Sequence, residues 1–146
     1  MRWLGRVRYR DAHALQHGLF RGTDDHLLLL EHPHVYTLGV RAEPEHVLVD
    51  PATVGAELVQ TDRGGDVTYH GPGQLVGYPV LPVPGNGGGG KADTVAYVRA
   101  VEQVIIDSLA DVGLPGAARL PDYPGVWVDV DGSNPRKIAA IGVRLT

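Results

Sequence analysis

The stretch from Arg63 to Val80 constrains the fold more than any other part of the chain. It opens on Gly64-Gly65, runs into Val67-Thr68-Tyr69-His70, turns again at Gly71-Pro72-Gly73 and leaves as Gln74-Leu75-Val76-Gly77-Tyr78. Glycine reaches backbone conformations closed to other residues and lets a ligand or a second strand come close. The two turns therefore bracket a short run of strand formers, and the chain leaves the second turn as a further strand-like run. Arg63, Thr68, Tyr69, His70 and Gln74 place polar side chains around both turns. That pattern suits a loop that shapes a substrate site. A plain turn cluster with incidental polar groups remains the alternative.

The chain before this stretch reads as short elements. Residues 2–9 alternate loosely, as a first strand or an extended lead-in. Asp11 is placed to cap a helix with Ala12, Leu15 and Leu19 on one face, widened by Ala14 and Phe20. His13 and His17 lie one helical turn apart, but no acidic or cysteine partner sits at ligand spacing, so they read as solvated helix histidines. Leu27 to Leu30 is a buried strand and Val35 to Leu38 a second one, with Glu31-His32-Pro33-His34 between them as a turn or a pocket rim rather than a metal triad. Pro44 and Pro51 keep 41–56 irregular. A short strand over His46–Val49 and a helical turn over Thr53–Ala56 are expected, followed by a strand over Glu57–Thr61.

Residues 82–91 combine Pro-Val-Pro-Gly-Asn with four glycines and are expected to form a flexible insertion. Lys91 is followed by Ala92, so the tract lacks the Gly-Lys-Ser/Thr ending of a phosphate-binding loop. A long helix follows, capped by Asp93 or Thr94. Val95, Val98, Val101, Ile105 and Leu109 form its inner stripe, widened by Val104. Arg99, Glu102, Gln103 and Asp107 take the outer face, and Gly113 and Pro115 end the helix. Val126 to Val130 and Lys137 to Val143 read as a hairpin, with Lys137 at the head of the return strand and Ala139, Ile141 and Val143 on its side.

A formal charge of −4 and the lack of any Lys/Arg run make nucleic acid an unexpected partner; the seven histidines could add positive charge only below about pH 6.5. No run is long and apolar enough to span a bilayer, and Met1–Arg6 has no apolar region behind it, so neither membrane nor secretion is expected; a cytoplasmic location is the default. The chain has no cysteine, which removes thiolate ligands, disulfides and a cysteine nucleophile from these residues. His70 and Lys137 are the best ionisable candidates. Lys137 leads a mostly apolar strand, where partial desolvation would make it a usable base. A structural histidine and a surface lysine remain the plainer alternatives.

Four blocks in order carry a resemblance. They are Leu29-Leu30-Glu31-His32-Pro33 with Val35-Tyr36-Thr37-Leu38-Gly39; Arg63 to Pro79; Pro124-Gly125-Val126-Trp127-Val128; and Arg136-Lys137-Ile138-Ala139-Ala140-Ile141-Gly142-Val143. Together they resemble the bacterial octanoyltransferases, also called lipoyl(octanoyl) transferases or lipoate biosynthesis protein B. The resemblance implies one α/β domain over 1–146, a mixed sheet flanked by helices, related to lipoate ligase and biotin protein ligase catalytic domains. It implies transfer of an octanoyl group from octanoyl-acyl carrier protein to a lysine of the lipoyl domains of 2-oxoacid dehydrogenases and of the glycine cleavage H protein. A family cysteine carries the acyl group and a family lysine activates it; no cofactor or metal is implied, and a monomer is expected.

The lysine motif falls on Lys137. Arg63, Gly64, Gly65, Thr68, Tyr69, His70, Gly71, Gly73 and Gln74, with Ala140, Ile141 and Gly142, fall on substrate-binding positions. The family's Thr-His-Gly and Pro-Cys-Gly blocks have no counterpart here, so an N-terminal portion is expected, inactive through the acyl-enzyme route. An ATP-dependent lipoate- or biotin-type ligase is the runner-up. A non-catalytic piece that binds acyl carrier protein or a lipoyl domain is the third reading.

Overall fold

The computed structural model describes residues 1–83 and 92–145. They form two compact units, Met1–Pro82 and Val83–Thr146. Most of the glycine-rich tract expected as a flexible insertion lies outside the described residues.

In the first unit, strand β1 (Arg2–Arg6) leads to helix α1 (Tyr9–Leu19), then β2 (His26–Glu31) and β3 (Val35–Leu38). Two 3₁₀ turns, Pro44–His46 and Pro51–Val54, precede β4 (Glu57–Gln60), β5 (Val67–His70) and β6 (Val76–Val80). The strands make two mixed three-stranded sheets. In one, β2 lies between parallel β1 and antiparallel β6. In the other, β3 lies between parallel β4 and antiparallel β5. The turn at Gly71–Gln74 is thus no hairpin: the strands on either side of it, β5 and β6, join different sheets.

Alternation explains the core. Leu28 and Leu30 of β2 are buried while Leu27 and Leu29 are more accessible, as the two-residue period of a strand requires. Ala12 of α1 packs on Leu28, Leu30 and Val76, with Leu19 and Tyr78 at the margin. Tyr9, at the start of the same helix, packs on Val35 and Val59 of the second sheet. One helix therefore covers both sheets. It begins at Tyr9, three residues earlier than expected. Asp11 lies in its first turn and the Arg8 side chain makes no cap. Leu15 and Phe20, expected on the inner face, are exposed.

The expected strand at His46–Val49 is absent. Pro44 at the first helical position starts a 3₁₀ turn instead, and Leu48 is exposed without a neighbouring strand to pair it. The turn at Pro51–Val54 is capped by Asp50, which accepts from the Ala52 amide, and closed by Gly55 at φ +65°.

The second unit holds helix α2 (Thr94–Asp111) and an antiparallel sheet of β7 (Ala118–Leu120), β8 (Tyr123–Val128) and β9 (Arg136–Ala139), with β8 central. Asp93 caps α2 by accepting from the Ala96 amide. Gly113, at φ +92°, ends it: its amide donates to the Ala110 carbonyl and the Leu114 amide to that of Leu109, the paired bonds of a Schellman motif. Strand β7 is too short to show any sequence period.

The return strand stops at Ala139 rather than Val143. The ladder pairs Trp127 with Lys137 but Val126 with Ala139, so Ile138 is an extra residue, a bulge. Lys137 and Ala139 therefore do not share one side of a regular strand, and Ala140, Ile141 and Gly142 follow in irregular backbone.

Candidate functional site

His70 ends β5, and Gln74 closes the turn that follows, its amide donating to the Gly71 carbonyl. The Gln74 side chain fixes the state of His70. Its Nε2 donates to the Tyr69 carbonyl, which turns Oε1 toward His70 Nδ1 at 2.6 Å. An amide oxygen only accepts, so Nδ1 carries the proton and Nε2 of the neutral ring is left as an acceptor. The ring lies against Tyr9, at 6.3 Å between centroids, and against His32, at 5.5 Å. Burial lowers the His70 pKa to about 4; the Gln74 bond opposes this, and His32 and Arg63 reinforce it. Such a ring is neutral near pH 7 and too weakly basic for a general base, which works best with a pKa near the working pH. Its chemistry is that of a fixed hydrogen-bond acceptor.

His32 is wholly buried behind it. Its Nδ1 donates to the Val7 carbonyl at 2.7 Å, and its Nε2 accepts from the Tyr78 hydroxyl at 2.7 Å. Burial lowers the His32 pKa and raises that of Tyr78. Both ring nitrogens are committed, so His32 holds the cluster together rather than meeting a ligand. Glu31 accepts the Gly73 amide at 3.0 Å and so pins the second glycine turn, where Gly73 adopts φ +85°. His34 shares a 2.6 Å hydrogen bond with the Tyr69 hydroxyl. Glu31, His32 and His34 thus serve three separate contacts. Tyr69 is partly exposed and folds back over Gly71, where a Cβ would strike its ring.

Arg63 is turned inward. Its Nη2 donates to the Thr37 carbonyl and hydroxyl, both at 2.8 Å, and to the Asp66 carbonyl at 2.9 Å, while Nη1 donates to the Gly64 carbonyl at 3.1 Å. The guanidinium braces the Gly64-Gly65 turn against β3. Thr68 faces Thr37 across the ladder, and its carbonyl accepts from the Thr37 hydroxyl. Tyr9, Glu31, His32 and Tyr78 complete the cluster, and nothing local in the sequence singles out Tyr9 or Tyr78. His13 and His17, expected as isolated solvated residues, have Asp62 beside them in space.

Lys137 belongs to the second unit. It is exposed, so the desolvation expected of it is not found: the bulge and the edge position of β9 leave its side chain in solvent. Its Nζ lies 4.8 Å from the centroid of the Trp127 ring, a cation–π contact. The stem runs past Gly125, which has φ +117° and where a Cβ would meet the Ala139 carbonyl and crowd the Lys137 methylenes. The Gly125 amide donates to Glu102 Oε1 at 2.8 Å. Glu102, expected on the outer face of α2, is instead wholly buried; its Oε2 accepts from Arg99 and Arg119, each at 2.9 Å. A carboxylate with three donors can sit where an unpaired one cannot.

A model of the lipoyl protein ligase A/B catalytic domain matches residues 8–146. The chain belongs to this family. An octanoyltransferase of Solibacter usitatus is 50% identical over 154 residues, covering 100% of this chain and 66% of the relative. One of Mycobacterium avium is 47% identical over 151 residues, covering 100% of this chain and 60% of the relative. The chain therefore spans less than two thirds of the length of these curated relatives. Among solved structures, the bi-partite lipoate protein ligase of an archaeal lipoylation system, from Thermoplasma acidophilum, superposes with a TM-score of 0.70 at 21% identity, covering 93% of this chain and 52% of that one. This likeness places the α/β fold with the lipoate ligase catalytic domains.

In this member of the lipoyl protein ligase A/B family, the state of His70 is directly measurable. A nitrogen-detected NMR titration should show the Nδ1–H form at pH 7 and a midpoint near pH 4. The folded value lies below the unfolded value of about 6.5, so the contribution of His70 to stability is full above that pH and is lost as the pH falls toward 4. A midpoint above pH 6 would contradict the buried, neutral assignment.

Proposed function

We propose that these residues form the substrate-binding part of an octanoyltransferase. The whole protein moves an octanoyl group from octanoyl-acyl carrier protein to a lysine of a lipoyl domain, and the 146-residue chain alone binds without transferring. The observation that carries this is 50% identity to an octanoyltransferase along the whole chain, in a sequence that holds no cysteine.

The chemistry divides accordingly. In the whole protein, where packing around the site takes the Lys137 amine out of solvent, a cysteine thiol gives its proton to that amine. The thiolate attacks the octanoyl thioester carbon, and the carrier's thiolate leaves and takes the proton back from Lys137, which is neutral again. The acceptor lysine then attacks the new thioester as a free amine and loses a proton to Lys137, which passes it to the departing cysteine thiolate as the amide forms. One thioester replaces another and an amide follows, so the sequence runs downhill without ATP. His70, a fixed acceptor, orients a donor of substrate or protein, and Tyr69, Gly71 and Gly73 shape the wall beside it. An octanoyl tail gains about 0.8 kcal/mol for each CH₂ it buries.

The test is Lys137→Arg in the whole protein. Arginine keeps a cation over Trp127 but cannot release a proton near neutral pH. Octanoyl-amide formation on a lipoyl domain should fall by about 10²-fold or more, with an unchanged circular dichroism spectrum. Near-parental transfer by a folded Lys137→Arg variant would remove Lys137 from the role of base.

A further inference from the structure

His13 and His17 occupy successive turns of α1, and Asp62 follows β4. One donor atom from each comes within 4.8 Å of the others. The two imidazole Nε2 atoms are 3.3 Å apart, and His13 Nε2 is 3.7 Å from Asp62 Oδ1. Two nitrogens bound tetrahedrally to one zinc ion at 2.0–2.1 Å stand about 3.3 Å apart. The helix has thus already set the histidines at chelating separation, and the carboxylate oxygen lies a few tenths of an ångström beyond that separation from His13 and within 4.8 Å of His17. The His13 ring is steadied from behind by Tyr9, stacked at 5.9 Å. His17 and Asp62 are exposed, which leaves an approach from solvent. The contact between His13 and Asp62 turns the carboxylate toward the point that the two imidazoles share.

We propose that His13, His17 and Asp62 bind one divalent transition metal ion of the zinc class. Two imidazoles and one carboxylate suit zinc, cobalt, nickel or copper, whereas magnesium and calcium favour all-oxygen sites. Asp62 immediately precedes Arg63, so the ion ties α1 to the segment that enters the first glycine turn. The site stands apart from the acyl-transfer proposal, and its test needs no activity.

The experiment uses the tag-free 146-residue chain, stripped with EDTA and dialysed into a non-coordinating buffer. Zinc chloride is titrated by calorimetry, and cobalt chloride is followed by its visible d–d bands. The parent should bind one equivalent of zinc in the micromolar range or tighter, with four- or five-coordinate cobalt bands. Free zinc about 100-fold above Kd should raise the melting midpoint by roughly 10 °C. His17→Ala, at an exposed position that leaves the core intact, should weaken zinc binding by about 100-fold, and Asp62→Asn by about tenfold or more. Circular dichroism confirms that both variants are folded. No saturable binding by the parent, or unchanged affinity in either folded variant, overturns the site.

Discussion

Replacing Glu102 with alanine is expected to destabilise the second unit by about 3 kcal/mol or more. The side chain is wholly buried, and three donors converge on it: the Gly125 amide and the guanidinium groups of Arg99 and Arg119. The two arginines are half or one-third exposed and can turn to water. The Gly125 amide lies in a buried contact and cannot, so its unmet hydrogen bond alone costs about 1–3 kcal/mol. The volume left by the carboxylate adds to this. Glu102→Gln keeps an acceptor for Gly125 and should lose roughly half as much.

The same residue sets an acid limit. Burial pushes the Glu102 carboxyl up, but the Gly125 amide and the two arginines outweigh it and hold the pKa below the usual range. Its stabilising contribution is therefore complete above the unfolded value of about 4.3 and is lost as the pH falls through the lower folded one. Each unit contains one tryptophan, Trp3 and Trp127, so urea unfolding of a Trp3→Phe background reports on the second unit. A loss below about 0.5 kcal/mol in Glu102→Ala would show that the buried network is not a stabilising one.

Gly39→Ala is expected to destabilise the first unit by about 3 kcal/mol. A Cβ at Gly39 would strike the Gly65 carbonyl and come within 2.8 Å of Arg63 Nη1. The neighbour that must give is backbone, so the strain cannot be relieved by a rotamer change. Moving it pulls on the bonds that dock the first glycine turn, Gly39 to Asp66, Val40 to Arg63 and Arg41 to Gly65. The reporter is Trp3 fluorescence in a Trp127→Phe background. Gly55→Ala is the control, because a Cβ there meets nothing and only the +65° φ is penalised. If Gly39→Ala loses no more than the control, the turn does not depend on close approach to β3.

Local pattern carried much of the fold. The Leu27–Leu30 run, the cap at Asp93, the Gly113 stop and the paired strands around Asp129–Pro135 are signals that act within a few residues. What the pattern missed depends on partners distant in the chain. Glu102 reads as an outer-face residue until Arg119 and Gly125 are folded against it. His13 and His17 read as a solvated pair until β4 brings Asp62 beside them. Lys137 reads as desolvated because Ile138 to Ile141 are apolar, yet a bulge at Ile138 and an edge strand leave it in solvent.

The glycine-rich block was legible as a special loop, but the work of its residues was not. Arg63 is spent on carbonyls of its own turn, and the tautomer of His70 follows from the Gln74 amide, which only the fold reveals.

The most direct test of the account mixes the 146-residue chain with octanoyl-acyl carrier protein. Binding is followed by NMR shifts of the labelled chain, and its intact mass is read before and after hydroxylamine. Saturable shifts that include His70 and Tyr69 are expected, with a chain mass that does not change. A stoichiometric, hydroxylamine-labile octanoyl adduct on a chain without cysteine, or no binding at all, would contradict it.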